Sequence, residues 1–191
     1  LIRSLFTHLV LAGEIVGENP QKSKQWDRIL HELPMPVIDG EDCLAEWLLP
    51  HEPGDPGHRH RSHLVGLCPG DRITPETAPE YADAAYRALQ KRYRCGGGMS
   101  QSLSYAWDAQ LLARLYRGEE AAAQLASLVS VHALGNLLFA CNDWRGDRGG
   151  LAWFPDVKLF QIEASLAAGA AVLEMVFQDR GGLLRFLPAL P

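Results

Sequence analysis

The feature that most constrains this chain is apolar residues recurring at helical spacing, stretch after stretch, with long irregular segments between. In residues 1–17, Leu1, Leu5, Leu9, Ala12 and Val16 mark one face, widened by Ile2, Phe6 and Ile15. Pro20 opens a second helix over 20–33, which places Trp26, Ile29, Leu30 and Leu33 together. Residues 79–92 predict an Ala-rich helix with Tyr81, Ala85 and Leu89 inward, entered through Thr77 and Pro79. Residues 103–116 carry Trp107, Leu111 and Leu115, and residues 118–131 carry Ala122, Leu125 and Val129. The last helix spans roughly Phe160–Phe177, and its "SLAAGAAVLEM" predicts close packing on neighbours. The pattern is all-α, in paired helices. A short turn of helix is expected at Cys43–Leu48, and one short strand in "LLRFLPALP".

With 191 residues there is length for one full core. Hydrophobic residues at 47% and charged residues at 21% describe an ordinary globular chain rather than a disordered one. The net charge of -5 supplies no basic field, which argues against a nucleic-acid partner. No apolar run has the length to span a bilayer, so no membrane role is expected, and no secretory signal is visible. Cys43, Cys68, Cys95 and Cys141 stand far apart, without a C-x-x-C pair, and are expected to be free and buried. The helical pattern is already running at Leu1, and "FLPALP" closes the chain as an extended stretch. Both ends are expected to be cuts through a longer polypeptide.

The unusual residues sit in the irregular segments. "GHRHRSHLVGLCPG" places His58, Arg59, His60, Arg61 and His63 together. A zinc site needs three or four converging ligands. On a helix His60 and His63 would share a face and His58 would point away. The interleaved Arg59 and Arg61 also repel a divalent cation. No metal and no cofactor are expected. Arginine forks and imidazoles suit a polar or anionic ligand better, and some of the histidines would instead fix the loop. "CGGGMSQS" lacks phosphate-loop spacing and predicts a helix end and a turn.

Glu163, near a helix start, is favoured as the anion, which suits either a general base or a plain N-terminal carboxylate. Asp108 and Glu174 are isolated carboxylates within helices, expected to be surface or ion-paired. Trp144 and Trp153 lie in a long loop and suit a sugar subsite better than Trp107, which fits a helix core.

These stretches together resemble glycoside hydrolase family 95, the 1,2-α-L-fucosidase family. "GHRHRSHLVGLCPGDRIT" is similar to its H-R-H-x-S-H-L-x-G-L-x-P-G stretch, and "YAWDAQLLARLYRGEEA" to its A-W-x-x-x-L-x-A-R-L helix. "NLLFACNDWRG" resembles its N-L-F loop. "FQIEASLAAGAAVLEMVFQDRGGLLRFLPALP" resembles its F-Q-I-D-x-N segment and closing L-L-P-A-L-P. The likeness covers nearly the whole chain, most specifically from Gly57 onward.

The resemblance implies an (α/α)6 barrel, of which residues 1–182 would be the C-terminal portion and 183–191 an exit strand toward a C-terminal β domain. The partners implied are an oligosaccharide or glycan substrate, the N-terminal half of the barrel and flanking β domains. A secreted or periplasmic location goes with it. The mechanism implied is inverting, with the base at Glu163 and substrate held by Arg59 and His60. Trp144 and Trp153 would line the sugar subsite, and His58 and His63 would brace the loop. The family's general acid and assisting asparagines belong to earlier segments, so this chain alone is expected to be inactive. Glu163 stands where the family has Asp, and Ser165 where it has Asn. A second reading is a non-catalytic or degenerate carbohydrate-binding module, and a third a metal-dependent hydrolase.

Overall fold

The structure, a computed structural model, describes residues 1–49, 55–96, 101–144, 159–180 and 182–191. Its elements are α1 (Ile2–Val16), α2 (Pro20–Glu32), a 3-10 helix (Ser62–Gly66), α3 (Pro79–Gly96), α4 (Ser102–Arg114), α5 (Gly118–His132), α6 (Ile162–Val176), β1 (Phe177–Arg180) and β2 (Leu183–Phe186). The all-α expectation holds, and each predicted long helix is found within a few residues of its expected bounds. Among the described residues no helix is long and apolar enough to cross a membrane.

Two compact units divide at Val37 and Ile38. The first is the hairpin of α1 and α2. Asn19 caps α2 by accepting the Gln21 N–H at 2.8 Å, with Pro20 at the first turn. The helices meet at Gly13, where a Cβ would lie 3.1 Å from the Trp26 ring. The apolar face expected on α1 is not the covered one. Leu1, Leu5, Ala12 and Val16 are exposed, and Gly13 is the buried residue of that helix. An α1 apolar around most of its circumference cannot be covered by one neighbouring helix.

The second unit holds the core. Leu44, Leu64, Leu67, Ala85, Leu89, Leu111, Leu112 and Met175 bury together there. α4 is its central element, with buried residues on every side, from Ser102 to Arg114. α6 runs parallel to α4. Ser102 Oγ donates to Gln161 Oε1 at 2.6 Å at one end, Gln110 Nε2 to the Ala167 carbonyl at 2.9 Å midway, and Arg114 to Glu174 at 2.6 Å at the other end. α5 returns along α4 after the tight turn at Leu115–Arg117. Gly118 opens α5 where any side chain would collide with the Leu190 carbonyl oxygen, 2.4 Å from an ideal Cβ. The closing segment therefore packs on the start of α5 only because that residue is glycine.

Four local expectations are corrected. Cys43–Leu48 is not helical. Its backbone is engaged otherwise: Asp39 Oδ1 accepts the Cys43 N–H at 3.0 Å, Leu44 bridges Ile38, and the Leu44 N–H donates to Ala84 at 3.0 Å. On α5 the inward face is Ala121, Leu128 and Val131, and Val129 is exposed, a rotation of the predicted stripe. Cys43 and Cys68 are buried, but Cys95 is exposed and Cys141 half-buried; all four are free. The tail has two strands rather than one. β1 and β2 pair antiparallel, Phe177 opposite Phe186 and Arg180 opposite Leu183. The Gly181-Gly182 dipeptide between two apolar runs was the available signal.

Candidate active site

The N-terminal end of α4 gathers the segments that the sequence singles out. Gln101 and Ser104 form a capping box, which frees the Ser104 hydroxyl to act outward as well. Ser104 Oγ donates to the Arg59 carbonyl at 3.0 Å. Ser102 N–H donates to the Cys141 carbonyl at 3.1 Å, and Leu103 N–H to Gln161 Oε1 at 3.2 Å. Cys141 N–H donates to Leu159 at 2.6 Å, and Gln161 N–H to Phe139 at 3.0 Å. One helix start thus ties down the histidine–arginine loop, the Phe139–Trp144 loop and the first turn of α6.

Arg61 is the anchor of the histidine–arginine loop. It is 1% exposed and forms a two-bond fork with Asp108 on α4, Nε to Oδ1 and Nη2 to Oδ2, each 2.9 Å. Its third nitrogen donates to the His58 carbonyl at 2.7 Å. Arg92, on α3, donates to the same carbonyl at 3.2 Å and to the Asp55 carbonyl at 2.9 Å, while its other nitrogen meets Glu46 at 2.8 Å. Burial raises the Asp108 pKa against the opposing pull of Arg61, and the Tyr93 hydroxyl buried nearby is pushed up by the same burial and by Asp108. The sequence singles out Arg61 and leaves Asp108 as surface or ion-paired, but their pairing with each other is not legible from it, since residues 47 positions apart carry no local signal of contact.

The remaining loop residues divide by exposure. Arg59 is half-buried, and its Nε has no hydrogen-bond partner among the described residues. His60 is exposed. Its N–H donates to His58 Nδ1 at 3.2 Å, and the two rings lie 5.1 Å apart. Partial burial, then Arg59, His58 and Arg61, lower the His60 pKa, so its ring is neutral at neutral pH. His63, within the 3-10 helix, is pushed down to about 4 by burial, then by Arg92 and Arg61, and its Nδ1 lacks a partner among the described residues. It lines a cavity of about 200 Å³ with Asp39, Cys43, Glu46, Trp47 and Arg92.

Glu163 stands exposed in the first turn of α6, accepting from Gln161 Nε2 at 3.3 Å. Arg59 and Glu163 both act electrostatically on the Cys141 thiol. Burial raises its pKa most, Arg59 lowers it and Glu163 raises it. The hydrogen bonds from Ser104 to the Arg59 carbonyl and from Leu103 to Gln161, which in turn donates to Glu163, place Arg59 and Glu163 at the same end of the unit. Trp144 is half-buried in the loop that carries Cys141. Trp153 lies outside the described residues. Ser165 Oγ and Asn142 Oδ1 are buried without partners among the described residues. Cys141 and Asn142 belong to the "NLLFACNDWRG" stretch, but neither takes a site role from the sequence, because neither is a fixed position of the N-L-F pattern. Among the described residues no three His, Cys, Asp or Glu side chains converge as a metal site.

A model of the glycosyl hydrolase family 95 catalytic domain matches residues 1–176. The chain belongs to this family. It is also 35% identical, over its whole length, to "Alpha-L-fucosidase 2" of Arabidopsis thaliana. The chain spans 22% of that relative's length. Within family 95, then, this chain supplies a helix pair, the α4–α6 layer and the loops at the N-terminal end of α4.

Proposed function

We propose that this chain is the C-terminal part of an (α/α)6-barrel catalytic domain of an inverting α-L-fucosidase, with residues 183–191 leading toward a further β domain. The observation that carries the reading is the loop geometry. Arg59 holds a buried Nε with no partner among the described residues, beside a neutral His60, at the end of the unit where Glu163 also stands. A guanidinium with an open N–H and an imidazole that both donates and accepts suit the hydroxyls of a terminal sugar. Buried donors left open in the free protein are satisfied when the ligand arrives.

In this reading Glu163 takes a proton from water as the water attacks the anomeric carbon. A carboxylic acid on another segment of the barrel protonates the leaving oxygen. The two carboxyls of an inverting glycosidase stand roughly 6.5–9.5 Å apart, leaving room for that water. Trp144 and Trp153 provide faces for the sugar ring, and His58 and His63 brace the loop. The substrate is a glycan with a terminal α-L-fucosyl or related residue. The longer side chain of Glu163, relative to the family's Asp, moves the carboxylate by about one C–C bond, roughly 1.5 Å, which the loops around it have to accommodate. A sugar-binding module without turnover is the second reading; the exposed Glu163 and the Ser165 exchange favour it.

Saturation-transfer NMR with L-fucose tests the grip. Transfer to the sugar is expected with the protein and is expected to vanish in Arg59→Ala. Equal transfer in Arg59→Ala overturns the assignment. The chain alone, holding one of the two carboxyls, is expected to leave an aryl α-L-fucoside intact.

A further inference from the structure

We infer that Arg61 and Asp108 are positioning residues for Arg59 and His60: their buried fork sets the path of the loop that presents those two side chains. This rests on the sugar-binding reading of the loop. Both residues fall at positions that the family patterns quoted above leave open, H-R-H-x-S-H and A-W-x-x-x-L, so the fork lies outside the motif that it supports.

The loop backbone between His58 and Arg61 is fixed at three points. The His58 carbonyl takes donors from Arg61 and Arg92. The Arg59 carbonyl takes the Ser104 hydroxyl. The Arg61 side chain is locked to Asp108 by two parallel bonds. Arg61 is the only one of these anchors that is itself part of the loop, adjacent to His60, and it spends all three of its nitrogens on the task. A fork defines direction as well as distance, because the guanidinium and carboxylate must be coplanar for both bonds to form. A single lysine bond would leave the loop free to rotate about it.

Such a pair is a poor source of net stability, because both charges lose their water. Replacing it by apolar groups of similar size preserves the fold far better than removing one partner. This separates positioning from folding. The variants are Arg61→Met/Asp108→Leu, which removes the pair without stranding a charge, and Arg61→Lys, which keeps a cation but not the fork. Three quantities are measured on each: the thermal midpoint, amide hydrogen exchange over residues 57–61, and the dissociation constant for L-fucose by NMR titration.

The expected result is a midpoint close to that of the parent, faster exchange confined to 57–61, and affinity weakened about tenfold, since displacements near 1 Å at a positioned group are worth that much or more. Arg61→Lys is expected to show the same local loss. Should the double variant not fold, Arg61→Lys carries the test by itself. Parent-like exchange, or faster exchange with parent-like affinity, overturns the inference. If the parent protein itself binds no L-fucose, the sugar reading fails, and the exchange data alone decide whether the fork orders the loop.

Discussion

α4 and α6 lie side by side, parallel, with similar lengths and both rich in alanine and leucine, yet they live in different surroundings. α4 buries Ala106, Asp108, Ala109, Leu111, Leu112 and Ala113 among its neighbours. α6 buries Ala164, Ala171 and Met175 and leaves Ile162, Leu166, Val172 and Leu173 exposed, Leu166 at 70%. The buried residues of α6 are two alanines and Met175, while Ile162, Leu166, Val172 and Leu173 face outward. Burial in a helix is thus decided by how many sides are occupied, and sequence hydrophobicity alone does not rank it. The site inherits the contrast. Its α4 half, Asp108 with Arg61, is locked and buried; its α6 half, Glu163, is exposed and, among the described residues, held by one 3.3 Å bond.

Breaking the locked half is expected to have the largest effect. Asp108→Ala strands the buried Arg61 guanidinium and costs about 3–5 kcal/mol, read as a lower midpoint in urea unfolding. A variant as stable as the parent would show that the fork opens to water without penalty. Next comes the apolar comparison. Leu112→Ala on α4 costs about 2–5 kcal/mol, whereas Leu173→Ala on α6 stays within about 0.5 kcal/mol. Equal losses would mean that the exposed face of α6 is covered in solution.

A pH effect follows from His63. Its folded pKa of about 4 lies below the ordinary imidazole value of 6.5, so the unfolded chain binds the extra proton first. Its contribution is therefore complete above about pH 6.5 and is lost as pH falls toward 4. Allowing for its partial exposure, the loss is about 2–3 kcal/mol. His63→Gln is expected to flatten the stability profile over that interval and leave the profile above it unchanged. Ser165→Asn has the smallest expected effect. It is within about 1 kcal/mol on stability, and in the site it tests whether the polar atom there, without a partner among the described residues, contacts sugar, by a change in L-fucose affinity.

The helices were legible because their apolar periodicity is local, and that the histidine–arginine loop and the start of α6 belong to one site was implied by the family resemblance alone. What escaped was set by distance in sequence. Leu44 forms a bridge instead of a helical turn because its partners are Ile38 and Ala84. The face of α1 was misread because periodicity reports apolar residues, not which of them find a neighbour. The pairing of Arg61 was hidden because it depends on Asp108, a residue whose own setting within a helix gave only the expectation of a surface or ion-paired carboxylate.

The most direct test of the central claim is the turnover of an aryl α-L-fucoside by a catalytic domain in which this segment is joined to the N-terminal part of a family 95 member, compared with the same domain carrying Glu163→Gln. The account predicts hydrolysis with inversion at the anomeric carbon and a kcat lower by at least about a hundredfold in the variant, with KM little changed. Hydrolysis undiminished by Glu163→Gln would contradict it.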